Sequence, residues 1–189
     1  MGAGGREFES HRPDHFLVLV FKFQIVCRLN KEDKKIVRKL RLSKHPEGGW
    51  YRRTYSSQSS FIQNQSERLC GTSIYYYLAQ KESSSLHCID SDETWYFHFG
   101  STVKLHLFYD DTYKLILLGN SWEAGEYSQF TVKKGFFFGA ELVGDQGALL
   151  SCSVCPGFRL EGFKWGNKEK LLSAFPEQKE IILRLTKEI

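Results

Sequence analysis

His87 and Glu93 stand six residues apart in the run 86–100, LHCIDSDETWYFHFG, and Gly100 follows seven residues after the acid. An imidazole and a carboxyl at this spacing can share one concave site if both lie on strands of a small β-barrel. A buried glutamate needs a partner, and His87 is available as one. Burial and pairing bring such groups toward neutral pKa, as a general acid/base pair requires; His87 would then be the base and Glu93 the group that orients it. The same pair could instead be a satisfied structural hydrogen bond, and sequence does not separate the two.

Period-two alternation selects what surrounds the pair. If His87 points inward, so do Ile89 and, past the acidic turn at 90–92, Glu93, Trp95 and Phe97. His98 then faces the outer surface of the sheet. Trp95 and Phe97 are candidate ligand-binding residues and would serve equally as barrel core. Tyr51, Tyr75 and Gln129 are further pocket candidates, because tyrosine offers an apolar body and one phenol for holding a polar ring or sugar. Glu47 and Arg52 lie beside Gly48-Gly49, where a tight backbone approach alone would account for the glycines.

Positioning these residues takes a β framework. Apolar residues at 36, 37, 40 and 42 with charges between predict a short amphipathic helix over 31–42. After it, predicted strands cover 50–56, 72–79, 86–89, 94–99, 103–109, 113–118, 129–132, 136–142 and 148–154, with 57–68 as a polar loop. Helices are predicted over 167–175 and 177–188. Many short strands with closely spaced turns indicate a barrel or double-sheet jelly roll, which removes or shortens exposed edges. Residues 1–30 form a separate N-terminal extension, an added edge strand or a poorly ordered arm, and 31–189 one domain.

Bulk properties narrow the function classes. The 189 residues suffice for one domain with a sizeable core, and the 15% aromatic content suits sheet faces and barrel linings. Net charge is +4, much of it on 31–41, where Glu32 and Asp33 interrupt the lysines and arginines. That reads as a solvated helix face rather than a nucleic-acid surface. The apolar run 16–27 is too short to span a bilayer as a helix and is interrupted by Lys22, so no membrane partner is expected. Five scattered cysteines argue against a disulfide scaffold and for a reducing, cytoplasmic setting. Cys152 and Cys155, three apart on a strand, should point to opposite faces.

The segments HPEGGWYRRTY (45–55), GTSIYYYL (71–78), LHCIDSDETWYFHFG (86–100) and SCSVCPGF (151–158) resemble the Cupin_5 (DUF985) family of the RmlC-like cupin superfamily, and LLSAFP (171–176) resembles its C-terminal pattern. The resemblance implies a mainly all-β, double-stranded β-helix, a jelly-roll cupin barrel with short N- and C-terminal helices, and a homodimer. It also locates departures. Arg53 stands where the family has glutamate, Lys133-Lys134 replaces its Pro-Ala, and Tyr96 replaces a histidine while a new one appears at His98. A cupin metal takes three histidines and a glutamate; by register only His87 and Glu93 are present, with Ile89 and Phe138 at the other histidine positions. Two ligands hold a transition metal poorly, so neither metal nor other cofactor is expected. The expected function is binding of a small polar metabolite, with metal-independent isomerase- or epimerase-like proton transfer. A non-catalytic binding protein with the same pocket is the alternative, and a metal-dependent oxygenase ranks below both.

Overall fold

The computed structural model describes residues 29–63 and 65–187. The expected N-terminal extension falls almost wholly outside them. The chain is mainly β, as the sequence predicts. It begins with helix α1 (Lys31–Lys39), capped by the Asn30 side chain, which accepts from the Asp33 amide at 2.8 Å. Strands β1 (Ser43–Lys44), β2 (Trp50–Ser56), β3 (Ser60–Gln63), β4 (Ser66–Leu69), β5 (Thr72–Leu78), β6 (Ser83–Cys88), β7 (Asp92–Tyr109), β8 (Thr112–Leu118), β9 (Gln129–Val132), β10 (Phe137–Cys155) and β11 (Lys164–Trp165) follow, then helices α2 (Lys168–Ala174) and α3 (Lys179–Leu185).

Two long antiparallel strands, β7 and β10, organise the molecule. They pair along nearly their whole length, Phe137 with Phe108 at one end and Cys155 with Asp92 at the other. Their N- and C-terminal halves belong to opposite walls. One wall runs β1-β2-β5-β10-β7-β9 and the other β8-β7-β10-β6-β11. The corner falls where the ladder shifts register between Val143 and Ala148. Gly100 turns it with φ +110, and a Cβ there would collide with the Gly147 carbonyl. The sequence reads each long strand as two because glycines at the bend look like turns.

Between the walls lies the core, with Tyr76, Leu78, Trp95, Leu105, Phe138 and Leu150 at its centre. Outside one wall, α1 covers Tyr77 and Leu149; outside the other, α2 and α3 cover Leu86 and Phe108. Both walls are therefore buried on both faces over part of their area, and their strands read as continuous apolar runs there rather than alternating ones. The stretch 57–68, expected as a loop, contributes the separate hairpin β3–β4. Its polar and exposed residues conceal the strand period.

Candidate functional site

The turn between β1 and β2 carries His45, Pro46 and Glu47 and is fixed from three sides. Within it, the His45 amide donates to the Gly49 carbonyl at 3.0 Å and the Gly48 amide to the His45 carbonyl at 3.1 Å. Gly48 and Gly49 adopt φ of +114° and +71°, and a Cβ on Gly48 would collide with the Ser83 carbonyl. The Ser85 amide donates to the Glu47 carbonyl at 2.8 Å, and the Tyr76 phenol to the Gly48 carbonyl at 2.8 Å. The double glycine thus lets the turn press against β5 and β6, which delivers the Glu47 side chain among buried polar groups.

Glu47 Oε2 lies 3.4 Å from His87 Nε2, 3.5 Å from Ser84 Oγ and 3.6 Å from His45 Nδ1. The His87 ring packs against Phe138 at 4.1 Å and is stacked on Phe163 at 5.4 Å. Its Nδ1 lies 2.8 Å from the Ser85 carbonyl, an acceptor only, so Nδ1 carries the proton and Nε2 offers a lone pair to Glu47. His45 Nδ1 accepts the Glu47 amide at 3.3 Å, and Tyr51 and Tyr76 meet its ring edge-on at 4.6 and 5.4 Å. Burial draws His87 down to about 4. Burial, the neighbouring His87 and Arg53 draw His45 down to about 3. Both imidazoles are neutral at ordinary pH.

The acids move the other way. Burial pushes Glu93 up to about 7, against the pull of the Cys152 thiol and the Trp95 indole N–H. Trp95 Nε1 is buried without a partner in hydrogen-bonding geometry, so its help to the carboxylate is partial. Burial raises Glu47 well above the carboxylic range, the charge of Glu93 raises it further, and Ser84 opposes the shift. Near neutrality Glu93 is close to its midpoint, and burial together with the charge of Glu93 favours the protonated form of Glu47. Two acids whose surroundings separate their protonation states form a donor and an acceptor on the inner side of the walls.

The structure brings His87, Glu93, Trp95, Phe97 and Tyr51 to the inner side of the walls. His87 and Glu93 are not each other's partners, however: His87 faces Glu47, and Glu93 faces Cys152 and Trp95. Burial keeps His87 in its neutral form, with its Nε2 turned to Glu47 rather than to Glu93. Tyr75 is on the outer face, where Arg52 lies over its ring at 5.6 Å and His98 meets it edge-on at 6.2 Å. Tyr76, one residue on, is the inward phenol. Gln129 is exposed and pairs with Tyr96 beside Thr94 and Thr131, whose hydroxyls bond each other at 2.9 Å on the outer face. Neither Tyr75 nor Gln129 reaches the acids. His98 bonds Ser151 Oγ at 2.6 Å on the outer face, as alternation requires. Cys152 is buried beside Glu93 and Cys155 is exposed, so the thiols diverge. Sequence reasoning underrated Glu47 and His45. Their signal was an acid and an imidazole two apart in front of paired glycines, where a turn rather than a strand brings both side chains together.

Residues 34–166 match the sequence profile of the family described as Cupin superfamily (DUF985). The chain belongs to this family. A protein from Shewanella oneidensis is 33% identical, over 82% of this chain and 98% of its own, with a TM-score of 0.76. A hypothetical protein from Leishmania major is 29% identical over the same shares, also with a TM-score of 0.76. No curated protein matches the chain. For this DUF985 cupin, the donor set does not fit the metal that the wider fold suggests. Ile89 is packed in the core, and Phe138 lies with its ring on His87 where an imidazole would be needed. Among the described residues no three His, Cys, Asp or Glu side chains are arranged to hold a metal ion.

Proposed function

We propose that the barrel binds a small polar metabolite and moves a proton on it without a metal, an isomerase- or epimerase-like reaction. What supports this reading is the placing of two acids on the inner side of the walls, buried Glu93 beside Cys152 and Trp95 and half-buried Glu47 against His87 and Ser84, where desolvation raises both above the ordinary carboxylate range. Ionised Glu93 removes a proton from carbon next to a carbonyl, and the electron pair of the broken C–H bond moves onto the carbonyl oxygen. Glu47, still protonated, donates to that oxygen, and return of the protons to carbon and to Glu47 completes the change. His87 is a positioning residue: its Nε2 stands 3.4 Å from Glu47 Oε2, and Phe138 and Phe163 hold its ring. The inward Tyr51, Tyr76, Trp95 and Phe97 supply the apolar walls and few polar groups usual in small-molecule sites.

The contact of neutral His87 with protonated Glu47 also suits a receptor that binds and does not react. Solvent isotope separates the two. Panels of 2-oxo acids, 2-hydroxy acids, aldoses and sugar phosphates would be incubated with the protein in deuterium oxide and their masses followed. Proton transfer predicts gain of one deuteron in a bound compound, lost in Glu93→Gln. A compound that binds tightly and gains none identifies a binding protein.

A further inference from the structure

The end of β10 and the segment after it run across the base of the β3–β4 hairpin. The Gly157 amide donates to the Leu69 carbonyl at 2.8 Å, Arg68 Nε donates to the Gly157 carbonyl at 3.3 Å, and the Phe158 amide donates to Thr72 Oγ1 at 3.0 Å. Cys70 and Cys155 meet in this seam: Cys155 Sγ donates to the Cys70 carbonyl oxygen at 3.1 Å. Both are free thiols and both are exposed, whereas Cys88 and Cys152 are free and buried. Val154 pairs with Thr72 in the β5–β10 ladder, so Cys155 comes next to Gly71, one residue from Cys70. Residues on neighbouring strands, one position off the direct rung, have Cα atoms about 6 Å apart. A disulfide spans Cα separations of about 4.4 to 6.8 Å. Strict alternation from buried Thr72 would turn Cys70 inward. The chain instead bends at Cys70 to leave the hairpin, its amide donates to the Ser59 carbonyl at 3.0 Å, and the residue is exposed.

We propose that Cys70 and Cys155 are a redox pair that closes to a disulfide when the protein meets a peroxide. One cysteine, as its thiolate, attacks a peroxide oxygen. The O–O bond breaks, the sulfur becomes a sulfenic acid, and the departing hydroxide takes up the proton that the thiol gave. The second sulfur then attacks the first, the S–O bond breaks, and the hydroxyl leaves with the second thiol's proton as water. Two thiols and one hydrogen peroxide give one disulfide and two waters; the sulfurs lose two electrons and the peroxide gains them. In a reducing setting the pair rests as thiols, and an added thiol reopens the bridge by exchange. The bridge joins positions 85 apart in the chain. Closing so long a loop restricts the unfolded chain, so oxidation fastens the hairpin base to β10 and stabilises the fold. The pair does not depend on the proton-transfer reading, since neither sulfur belongs to that site.

In the test, the full chain is reduced, freed of reductant and treated with a small excess of hydrogen peroxide under native conditions. Its intact mass should fall by two hydrogens, and dithiothreitol should restore it. Peptide mapping without reduction should find Cys70 and Cys155 in one linked pair, and the oxidised protein should melt several degrees above the reduced one. Cys70→Ser and Cys155→Ser should each stay unbridged, form a sulfenic acid on the surviving thiol that dimedone traps, and show no such rise in melting temperature. The peptide map of the parent needs no variant, so it does not depend on how either substitution folds. The proposal is overturned if Cys70 and Cys155 stay unlinked in the treated parent, if either is linked to another cysteine instead, or if Cys70→Ser still loses two hydrogens.

Discussion

Glu47 and Glu93 feel each other's charge on the inner side of the walls, and the cost of ionising both there is what separates their roles. Glu93 has the thiol of Cys152 and, imperfectly, the Trp95 indole to favour its charge; Glu47 has a weak donor in Ser84 and faces the charge of Glu93. Burial raises both acids, and the charge of each opposes ionisation of the other. A rate that needs Glu93 ionised should climb through about 7 and level off above it. Glu93→Gln keeps the volume and removes the base. Turnover should drop by about 10²- to 10⁴-fold, the range of general acid/base effects, and the limb near neutrality should vanish. Circular dichroism should show the fold intact. A variant that unfolds, or one that reacts at the parental rate, contradicts the assignment. The legible part of the site was the strand pair, because alternation from His87 correctly placed Glu93, Trp95 and Phe97. Tyr75 faces outward and Tyr76 inward; α1 buries the outer face as well, so both rows of β5 look apolar and the pattern does not say which is inside.

Among the elements, the β1–β2 turn bears most directly on the site. It owes its shape to Gly48 and Gly49, and it holds Glu47 only while it lies against β5 and β6. Gly48→Ala should lower stability by more than about 2 kcal/mol, since it strains a positive φ and drives a methyl into the Ser83 carbonyl. Chemical denaturation would measure it; a change under about 0.5 kcal/mol would mean the turn adapts. Alternation cannot find such a turn, because it describes strands. It finds the framework well: α1, β2, β5, β8, β9 and α2 lie where the residue pattern puts them to within a few residues. It misses the continuity of β7 and β10, whose bend needs glycine inside a strand, and the hairpin β3–β4, whose side chains are mostly exposed.

The whole molecule must keep two raised acids and two depressed histidines folded together, and this shapes its stability profile. A glutamate raised in the folded state stabilises fully below its ordinary value and loses that contribution as pH rises through its folded value, about 7 for Glu93. His45 and His87, lowered to about 3 and 4, act oppositely: their contribution is complete above the ordinary 6.5 and is lost as pH falls toward those values. The slopes oppose each other between about 4.5 and 6.5 and the acids prevail above. Thermal unfolding should therefore show a plateau in mild acid and a decline through neutrality, and Glu93→Gln should flatten the decline. An unchanged slope in that variant would count against a raised Glu93. Assembly is a separate expectation. Strand edges such as that of β2, covered by β1 only at Trp50 and Tyr51, call for protection, and a twin subunit is a common form of it. Light scattering at micromolar concentration should give about twice the 21.9 kDa chain mass; a clean monomer would refute the dimer.

The protonation of Glu93 is the point on which the functional account turns, and it can be observed without knowing the ligand. Protein labelled with carbon-13 at the glutamate side-chain carboxyls would be titrated by NMR, parent beside Glu93→Gln. The account predicts one glutamate carboxyl with its midpoint near 7, present in the parent and missing from the variant. A second, belonging to Glu47, should titrate above the ordinary glutamate range. If every glutamate carboxyl titrates in the ordinary range around 4 to 5, the two acids are not set apart, and the proton-transfer site proposed for this barrel does not exist.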